Sequence, residues 1–184
     1  MLVSGDIVPK QVIHAWCCVL NKCETIRAHT SPSRLYLPLS SEVSSQIDDN
    51  FTGASLIFVP IVSEKPFAMC FNFLTKKLEI LHLMRPEMVN FAPSIEPTKD
   101  FVIKCLLKKM PSIVAVRDMK PEEIILRSNL GNGSDSGIYL MRLLEKYKGE
   151  RRTCVLGLQD NNQVKVFGTR ACYELLSFAG NQDF

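Results

Sequence analysis

Three short apolar runs in the first half of the chain constrain its fold more than any other feature. They cover residues 56–62, 67–73 and 78–83, and polar turn residues separate the second run from the third at Leu74–Lys77. Apolar runs of this length between turns are typical of strands that are buried on at least one face. A short turn brings the chain back alongside itself, so we predict consecutive, antiparallel strands.

Helical periodicity surrounds these runs. Apolar residues recur at helical spacing in four segments, and in the first of them Trp16 lies on the apolar face. Gly149 is a natural stop for the third helix. The predicted helices are Pro9–Lys22, Thr98–Lys109, Asp135–Lys148 and Thr169–Phe178. Helices that flank a small mixed sheet make an α+β domain, and 184 residues fit a single domain over 1–184.

Other segments give weaker signals. Residues 25–55 are rich in Ser, Thr, Pro and Asn, which predicts loops with a short helix near Glu42–Ile47. The run Ile113–Val116 predicts another strand, and a short apolar piece follows at Ile124–Leu126. The run Val164–Phe167 is consistent with a further strand.

Composition excludes several classes of function. The net charge is +3, from 22 basic and 19 acidic residues, which is too mild for a nucleic-acid binder. No apolar stretch is long enough to cross a membrane, and no signal peptide is evident. Seven cysteines without an even framework indicate a reducing compartment, so we expect a nuclear or cytoplasmic protein. We expect no cofactor.

The sequence Asn-Gly-Ser-Asp-Ser-Gly at 132–137 stands where the third predicted helix begins. It resembles the nucleophile motif of the SUMO-protease (ubiquitin-like-protein protease) family, in which Asp-Cys-Gly opens a long helix. The start of a helix favours a thiolate there. The remaining elements resemble the family in the same order over nearly the full length, and the degenerate forms linked with plant transposons are the most similar. The resemblance implies a papain-like cysteine-protease fold in a plant protein.

The family's chemistry needs a thiolate, a histidine base, an acid that orients it and an oxyanion donor. Carried over from the resemblance, the nucleophile position holds Ser136, the base position Pro66 and the acid position His82. The oxyanion-hole glutamine position holds Leu130. Because all four positions are changed, we expect a pseudoprotease that is not an enzyme and serves as a protein-interaction module or regulator. The alternative is a residual hydrolase that uses Ser136 with His82.

The resemblance also suggests a partner. Family members hold the extended tail of a modifier protein under a tryptophan, and Phe67 stands in the place of that tryptophan. Phe67, Asn132 and Asp135 are therefore candidate binding residues for a ubiquitin-like modifier or an unrelated protein. Self-association into a homo-oligomer is a further possibility.

A small cluster of metal-ligating residue types lies on the first predicted helix. His14, Cys17, Cys18 and Cys23 fall near one another, but a zinc site needs four ligands held tetrahedrally, and no Cys-x-x-Cys pair is present. Buried thiols beside Trp16 are the simpler interpretation, so we expect no metal site.

Overall fold

The computed structural model describes residues 8–26, 31–38, 53–63, 66–83, 95–126, 135–150, 154, 156–158 and 160–180. Within these ranges five strands form one mixed sheet in the order β1-β2-β3-β4-β5. The strands are β1 Arg34–Tyr36, β2 Leu56–Ile61, β3 Phe67–Asn72, β4 Lys77–His82 and β5 Lys120–Ile125. The three central strands run antiparallel, as the apolar runs predicted. The edge strands β1 and β5 each lie parallel to their neighbours.

Helices cover both faces of the sheet. They are α1 Lys10–Thr25, α2 Glu96–Lys109, α3 Ser136–Lys146 and α4 Asn161–Gly180, with a 3₁₀ helix at Val114–Arg117. This arrangement confirms the predicted α+β class with a small mixed sheet. The prediction of one domain over 1–184 stays a prediction.

Alternation along the strands divides the core into two apolar clusters. Phe58, Cys70 and Leu81 belong to one cluster together with buried residues of α1, α3 and α4. Ile57 and Met69 belong to the other, together with buried residues of α2 and the 3₁₀ helix. Neighbouring side chains on a strand point to opposite faces, so the sheet has an α3 face and an α2 face. This division decides which side chains can meet the start of α3.

Trp16 links the three helices on the α3 face. Its side chain is fully buried, and its indole N–H donates to the Met141 carbonyl on α3 at 3.0 Å. Its ring meets the Phe167 ring of α4 edge-on, with the centroids 5.9 Å apart. A buried indole needs a hydrogen-bond acceptor, and the α3 backbone supplies it. The predicted inward position of Trp16 is therefore confirmed.

The prediction of a strand at Ile113–Val116 is wrong. The chain there turns into the 3₁₀ helix, where the Val116 N–H donates to the Ile113 carbonyl at 3.1 Å. The segment is short and only Val116 is buried in it. A strand would need a neighbouring strand to pair with its backbone, whereas a tight helical turn satisfies these groups locally.

The prediction of a strand at Val164–Phe167 is also wrong, because these residues lie in α4. Val164, Phe167 and Ala171 are buried against α1 and α3, and they recur at the spacing of one helix face. Four residues are too few to distinguish a strand from a helix by their period, and the longer pattern from Val164 to Ala171 decides for the helix.

Glycine and polar groups close the end of the sheet where the β3–β4 turn lies. Gly149 lies three residues beyond the last residue of α3 and has a φ of +88°, a conformation that glycine adopts without strain. Helix α3 itself ends at Lys146 with Tyr147 in an extended conformation, two residues before the predicted end at Lys148, so Gly149 turns the chain after the helix. The Gly149 carbonyl accepts from Asn72 Nδ2 at 3.1 Å, and the same nitrogen donates to Glu79 Oε1 at 2.8 Å. The Tyr147 hydroxyl donates to Glu79 Oε2 at 3.0 Å. These buried groups therefore satisfy one another.

Two predictions concern segments that need separate mention. The short helix near Glu42–Ile47 lies outside the described residues. Within the described ranges, no helix has the length and apolar character that crossing a bilayer requires.

Candidate functional site

Helix α3 begins at Ser136, the position that the resemblance assigns to the nucleophile. Ser136 is half-buried, and Asp135 before it is only 6% exposed. The Asp135 side chain makes no capping hydrogen bond to the first N–H groups of α3. Those N–H groups carry the positive end of the helix dipole, so a negative charge beside Ser136 is stabilised. Leu130 and Asn132, the other predicted residues of this motif, lie outside the described residues.

Gly137 allows the chain before α1 to pass directly over the start of α3. A Cβ atom built on Gly137 would overlap the Val8 Cβ and lie 2.7 Å from its Cγ2. Real Cβ atoms do not approach other carbons so closely, so any larger residue would displace one of the two segments. The glycine after Ser136 therefore has a packing reason of its own, independent of any chemistry.

The sheet presents two buried apolar residues on the α3 face at the end opposite the β3–β4 turn. We call this the open end. The last ladder pair there is Phe67 with His82, and Pro66 and Leu83 lie one residue beyond it. Pro66 and Leu83 are both buried, and Leu83 packs with Leu81 in the cluster of the α3 face. By alternation Pro66 shares that face, so neither of these two positions carries a proton acceptor.

His82 points to the other face of the sheet. Its ring centroid lies 5.8 Å from that of Phe67, its ladder partner, and Phe67 belongs to the cluster of the α2 face. His82 is 3% exposed, and among the described residues its Nε2 has no hydrogen-bond partner. Burial lowers the pKa of His82 below its ordinary value, and the charge of Glu123 on the neighbouring strand opposes that shift.

The structure therefore does not bring Ser136 and His82 together. Ser136 opens a helix on the α3 face, whereas the His82 imidazole lies on the α2 face beside Phe67. Leu83, the residue directly after β4, shares a face of the sheet with Pro66. The period of two along the run 78–83 contained this information, because adjacent residues cannot point to the same face. The assignment of His82 to the family's acid position stays a prediction.

The thiols of the chain give no activated nucleophile in the core. All seven cysteines are free. Burial raises the pKa of Cys17 and of Cys70, and the pKa of Cys154 is raised to about 11, also mainly by burial. These three thiols stay protonated at neutral pH, and a protonated thiol is a poor nucleophile and metal ligand. They act as small apolar residues, as predicted for Cys17.

Metal-ligating side chains do not gather anywhere in the described ranges. No group of three or more His, Cys, Asp or Glu side chains there could hold a metal ion. The candidate set on α1 separates, since Cys17 is buried in the core whereas Cys23 is exposed.

Comparison with known proteins gives a result only at the level of structure. No protein-family model matches the sequence, and no curated protein matches it. Solved structures do match. The SUMO protease Ulp1 with its catalytic cysteine oxidised to a sulfenic acid superposes with a TM-score of 0.65 at 12% identity, over 95% of this chain and 80% of that one. The chain has the SUMO-protease fold. This confirms the resemblance and the papain-like fold that it implied.

Two further structures support the same assignment of the fold. The Ulp1 protease domain in complex with Smt3, the yeast ortholog of SUMO, matches with a TM-score of 0.57 at 12% identity, over 92% of this chain and 77% of that one. The central domain of Lpg1148 from Legionella pneumophila matches with a TM-score of 0.50 at 10% identity, over 96% of this chain and 99% of that one. The predicted plant origin stays a prediction.

The comparison corrects one expectation. Sequence reasoning predicted that this chain is not an enzyme, and that prediction is wrong as it stands. The chain shares its fold with SUMO proteases that carry a catalytic cysteine. The prediction rested on position-by-position matching to a motif across proteins that share about 12% identity with this chain. An enzymatic role therefore stands as a candidate to be tested.

Proposed function

We propose that this chain binds a ubiquitin-like protein through that protein's extended C-terminal tail, at the open end of the sheet beside the start of α3. The observation that carries the proposal is the superposition of almost the whole chain on a SUMO protease solved with its modifier Smt3. A fold alone does not establish a function, so the proposal also depends on the local surface.

The open end supports this proposal through its chemistry. All four residues of the open end are buried: Pro66 and Leu83 pack on the α3 face, while the rings of Phe67 and His82 pack together on the α2 face. A narrow apolar end of this kind suits an extended tail that inserts between packed elements better than a folded surface. Asp135 lies at the start of α3, beside helix N–H groups that can donate to a peptide carbonyl.

A binding experiment tests the proposal directly. The full chain is titrated calorimetrically with SUMO and with ubiquitin, each intact and with the C-terminal tail removed. We expect binding of at least one intact modifier and a loss of binding when its tail is removed. Equal affinity for the intact and truncated forms, or no binding of either modifier, would overturn the proposal.

Variants locate the surface. Phe67→Leu keeps an apolar side chain in the buried position but removes the ring, and we expect it to weaken binding by roughly 10-fold, the usual effect of losing an aromatic contact. Phe101→Leu makes the same change on the exposed side of α2 and serves as the matched control. Equal losses in both variants would place the contact elsewhere.

Hydrolysis at Ser136 is a second candidate function. It is favoured by the half-buried Ser136 hydroxyl at the start of α3, where the helix dipole stabilises an anion. A modifier with a fluorogenic group on its C-terminus measures turnover by the wild-type chain, Ser136→Ala and Ser136→Cys. Turnover that Ser136→Ala abolishes supports this function, and equal turnover in the wild-type chain and Ser136→Ala contradicts it.

The place of action is part of the same proposal. All seven cysteines are free thiols, and free thiols persist in a reducing compartment. A nuclear or cytoplasmic protein that meets a ubiquitin-like modifier fits this chemistry. Localisation of a tagged full chain in cells tests it, and a signal confined to the secretory pathway would contradict it.

A further inference from the structure

We propose that two copies of this chain associate through the outer face of α4, packed antiparallel about a twofold axis level with Ala171. The inference is independent of the function proposed above, because α4 lies behind α1 and α3 on the α3 face. It begins from the distribution of exposed apolar residues.

Large apolar residues are exposed at seven described positions, and three of them lie on α4. Val166, Tyr173 and Leu176 are 70%, 72% and 73% exposed. The other four lie one to an element and need no explanation, since single exposed apolar residues are normal. These are Ile26, Leu74, Phe101 and Val114. The concentration on α4 is therefore the feature to explain.

The three residues form a stripe with exposed Thr169. Val166, Thr169, Tyr173 and Leu176 follow one another at spacings of three, four and three residues. Alternating spacings of three and four are the signature of a helix seam that packs against another helix. The inward face of α4 is a separate set that includes Val164, so the stripe is not needed to hold α4 onto the domain.

The stripe is complementary to itself when the second helix runs in the opposite direction. About an axis level with Ala171, Val166 lies opposite Leu176 of the second copy, and Thr169 lies opposite its Tyr173. Val166 thus meets Leu176, a side chain of similar size, and the Tyr173 ring meets Thr169, the smallest residue of the stripe. Interfaces between identical subunits about a twofold axis require such matching of a surface with itself.

The charges beside the stripe permit this pairing. Arg170 is the charged residue closest to the axis, and the two copies of it would face each other. Within its own subunit, however, Arg170 Nη2 bonds Glu145 Oε2 at 2.8 Å and its Nε lies 3.3 Å from Glu174 Oε1. The two carboxylates offset the guanidinium charge, which limits the repulsion between copies.

Cys172 supplies a marker for the geometry. It stands one residue from the axis, on the flank of the stripe away from Arg170, and its side chain is partly accessible. In an antiparallel pair the same flank of both helices lies on the same side, so the two Cys172 thiols approach each other.

The contact is small, so a weak dimer is expected. Helix α4 has 20 residues and is about 30 Å long. One helix pair of that length is at the low end of the roughly 1,200–2,000 Å² that stable interfaces bury. We expect a dissociation constant on the order of 10–100 μM, corresponding to a reversible dimer.

Sedimentation equilibrium of the full chain under reducing conditions tests the proposal over a range on the order of 1 μM to 1 mM. We expect a reversible monomer–dimer equilibrium. Tyr173→Asp and Leu176→Asp are each expected to weaken it by about 100-fold, because each change counts twice in the dimer. Phe101→Asp, an exposed apolar residue on α2, should leave it unchanged. A chain that stays monomeric, or a dimer that survives both α4 variants, overturns the proposal.

Oxidative cross-linking tests the orientation. Mild oxidation is expected to trap a covalent dimer in the wild-type chain and in Cys23→Ser, and to fail in Cys172→Ser. Cys23 is the control because it is the exposed cysteine of α1. Cross-linking that depends on Cys23 and persists in Cys172→Ser contradicts the antiparallel α4 contact.

Discussion

The two ends of the β3–β4 pair are both buried, but only the turn end gives its buried polar groups hydrogen-bond partners. At the turn, Asn72, Glu79 and Tyr147 saturate one another's hydrogen-bonding groups and the Gly149 carbonyl. At the open end, apolar side chains surround His82, whose Nε2 has no partner among the described residues. Buried polar groups normally find partners, so the two ends serve different purposes.

The difference separates architecture from function. The turn end fixes the loop after α3 to the sheet through bonds that span distant parts of the sequence, and such a network favours a single arrangement. The open end instead carries the His82 imidazole, whose Nε2 has no partner among the described residues. The turn end is thus held by a polar network, whereas the open end is packed by apolar side chains and one imidazole.

Glu79→Ala is expected to have the largest effect on the turn end. The change leaves the Asn72 amide and the Tyr147 hydroxyl without their buried acceptor, which costs about 3 kcal/mol of unfolding free energy. Urea unfolding measures the loss. Glu122→Ala is the control, because the Lys77–Glu122 ion pair is half-exposed and contributes under about 1 kcal/mol. Equal losses in the two variants would remove the contrast between a buried network and a surface pair.

Gly137→Ala is expected to lower the free energy of unfolding by about 2 kcal/mol. The new methyl group overlaps Val8, and overpacking of this kind typically costs about 1–3 kcal/mol. Val8→Gly in the same chain should restore part of the loss, and the double-mutant cycle measures the coupling. Gly53→Ala, where nothing lies within 4 Å of a new Cβ, is the control. An additive result for Gly137 and Val8 would show that the two segments do not touch.

The pH dependence of unfolding sharpens the comparison at the turn end. Burial raises the pKa of Glu79 above its ordinary value, while the bonds from Asn72 and Tyr147 oppose the shift. The folded state therefore favours the protonated acid. Glu79 contributes stability that is present below its unfolded pKa of about 4.3 and is lost as pH rises through the folded value. Glu79→Gln keeps the shape and is expected to flatten this part of the profile, measured by urea unfolding at several pH values.

We expect His82 at the open end to give the opposite pH dependence of the unfolding free energy. This is the smallest of the expected effects. Its pKa is lowered by burial, so its neutral form contributes stability that is present above the unfolded pKa of about 6.5 and is lost as pH falls through the folded value. His82→Gln should remove the loss on acidification. His14→Gln on α1 is the control. A profile that is unchanged by His82→Gln would show that the imidazole is hydrated.

Local sequence determined much of the architecture. The lengths of the apolar runs and the turn at Leu74–Lys77 gave the three antiparallel strands, because hydrogen bonding between neighbouring segments follows from turn length. Helical spacing placed Trp16 in the core, whereas α3 ends at Lys146, before the glycine that the sequence suggested as its stop. The motif at 132–137 was sufficient to suggest the fold, although its first three residues lie outside the described residues.

Only the tertiary structure decided the rest. Strand β5 pairs with β4 in parallel across more than forty positions of chain, and no local pattern predicts such a partner. Val164–Phe167 became helical because α1 and α3 offered an apolar surface at helical spacing, a preference that four residues alone do not express. That His82 lies on the α2 face followed from the packed structure, because the period of two fixes only which residues share a face. The sequence alone determines the spacing of apolar residues along each element. Contacts between distant side chains depend on which surfaces pack together, and the candidate site is made of such contacts.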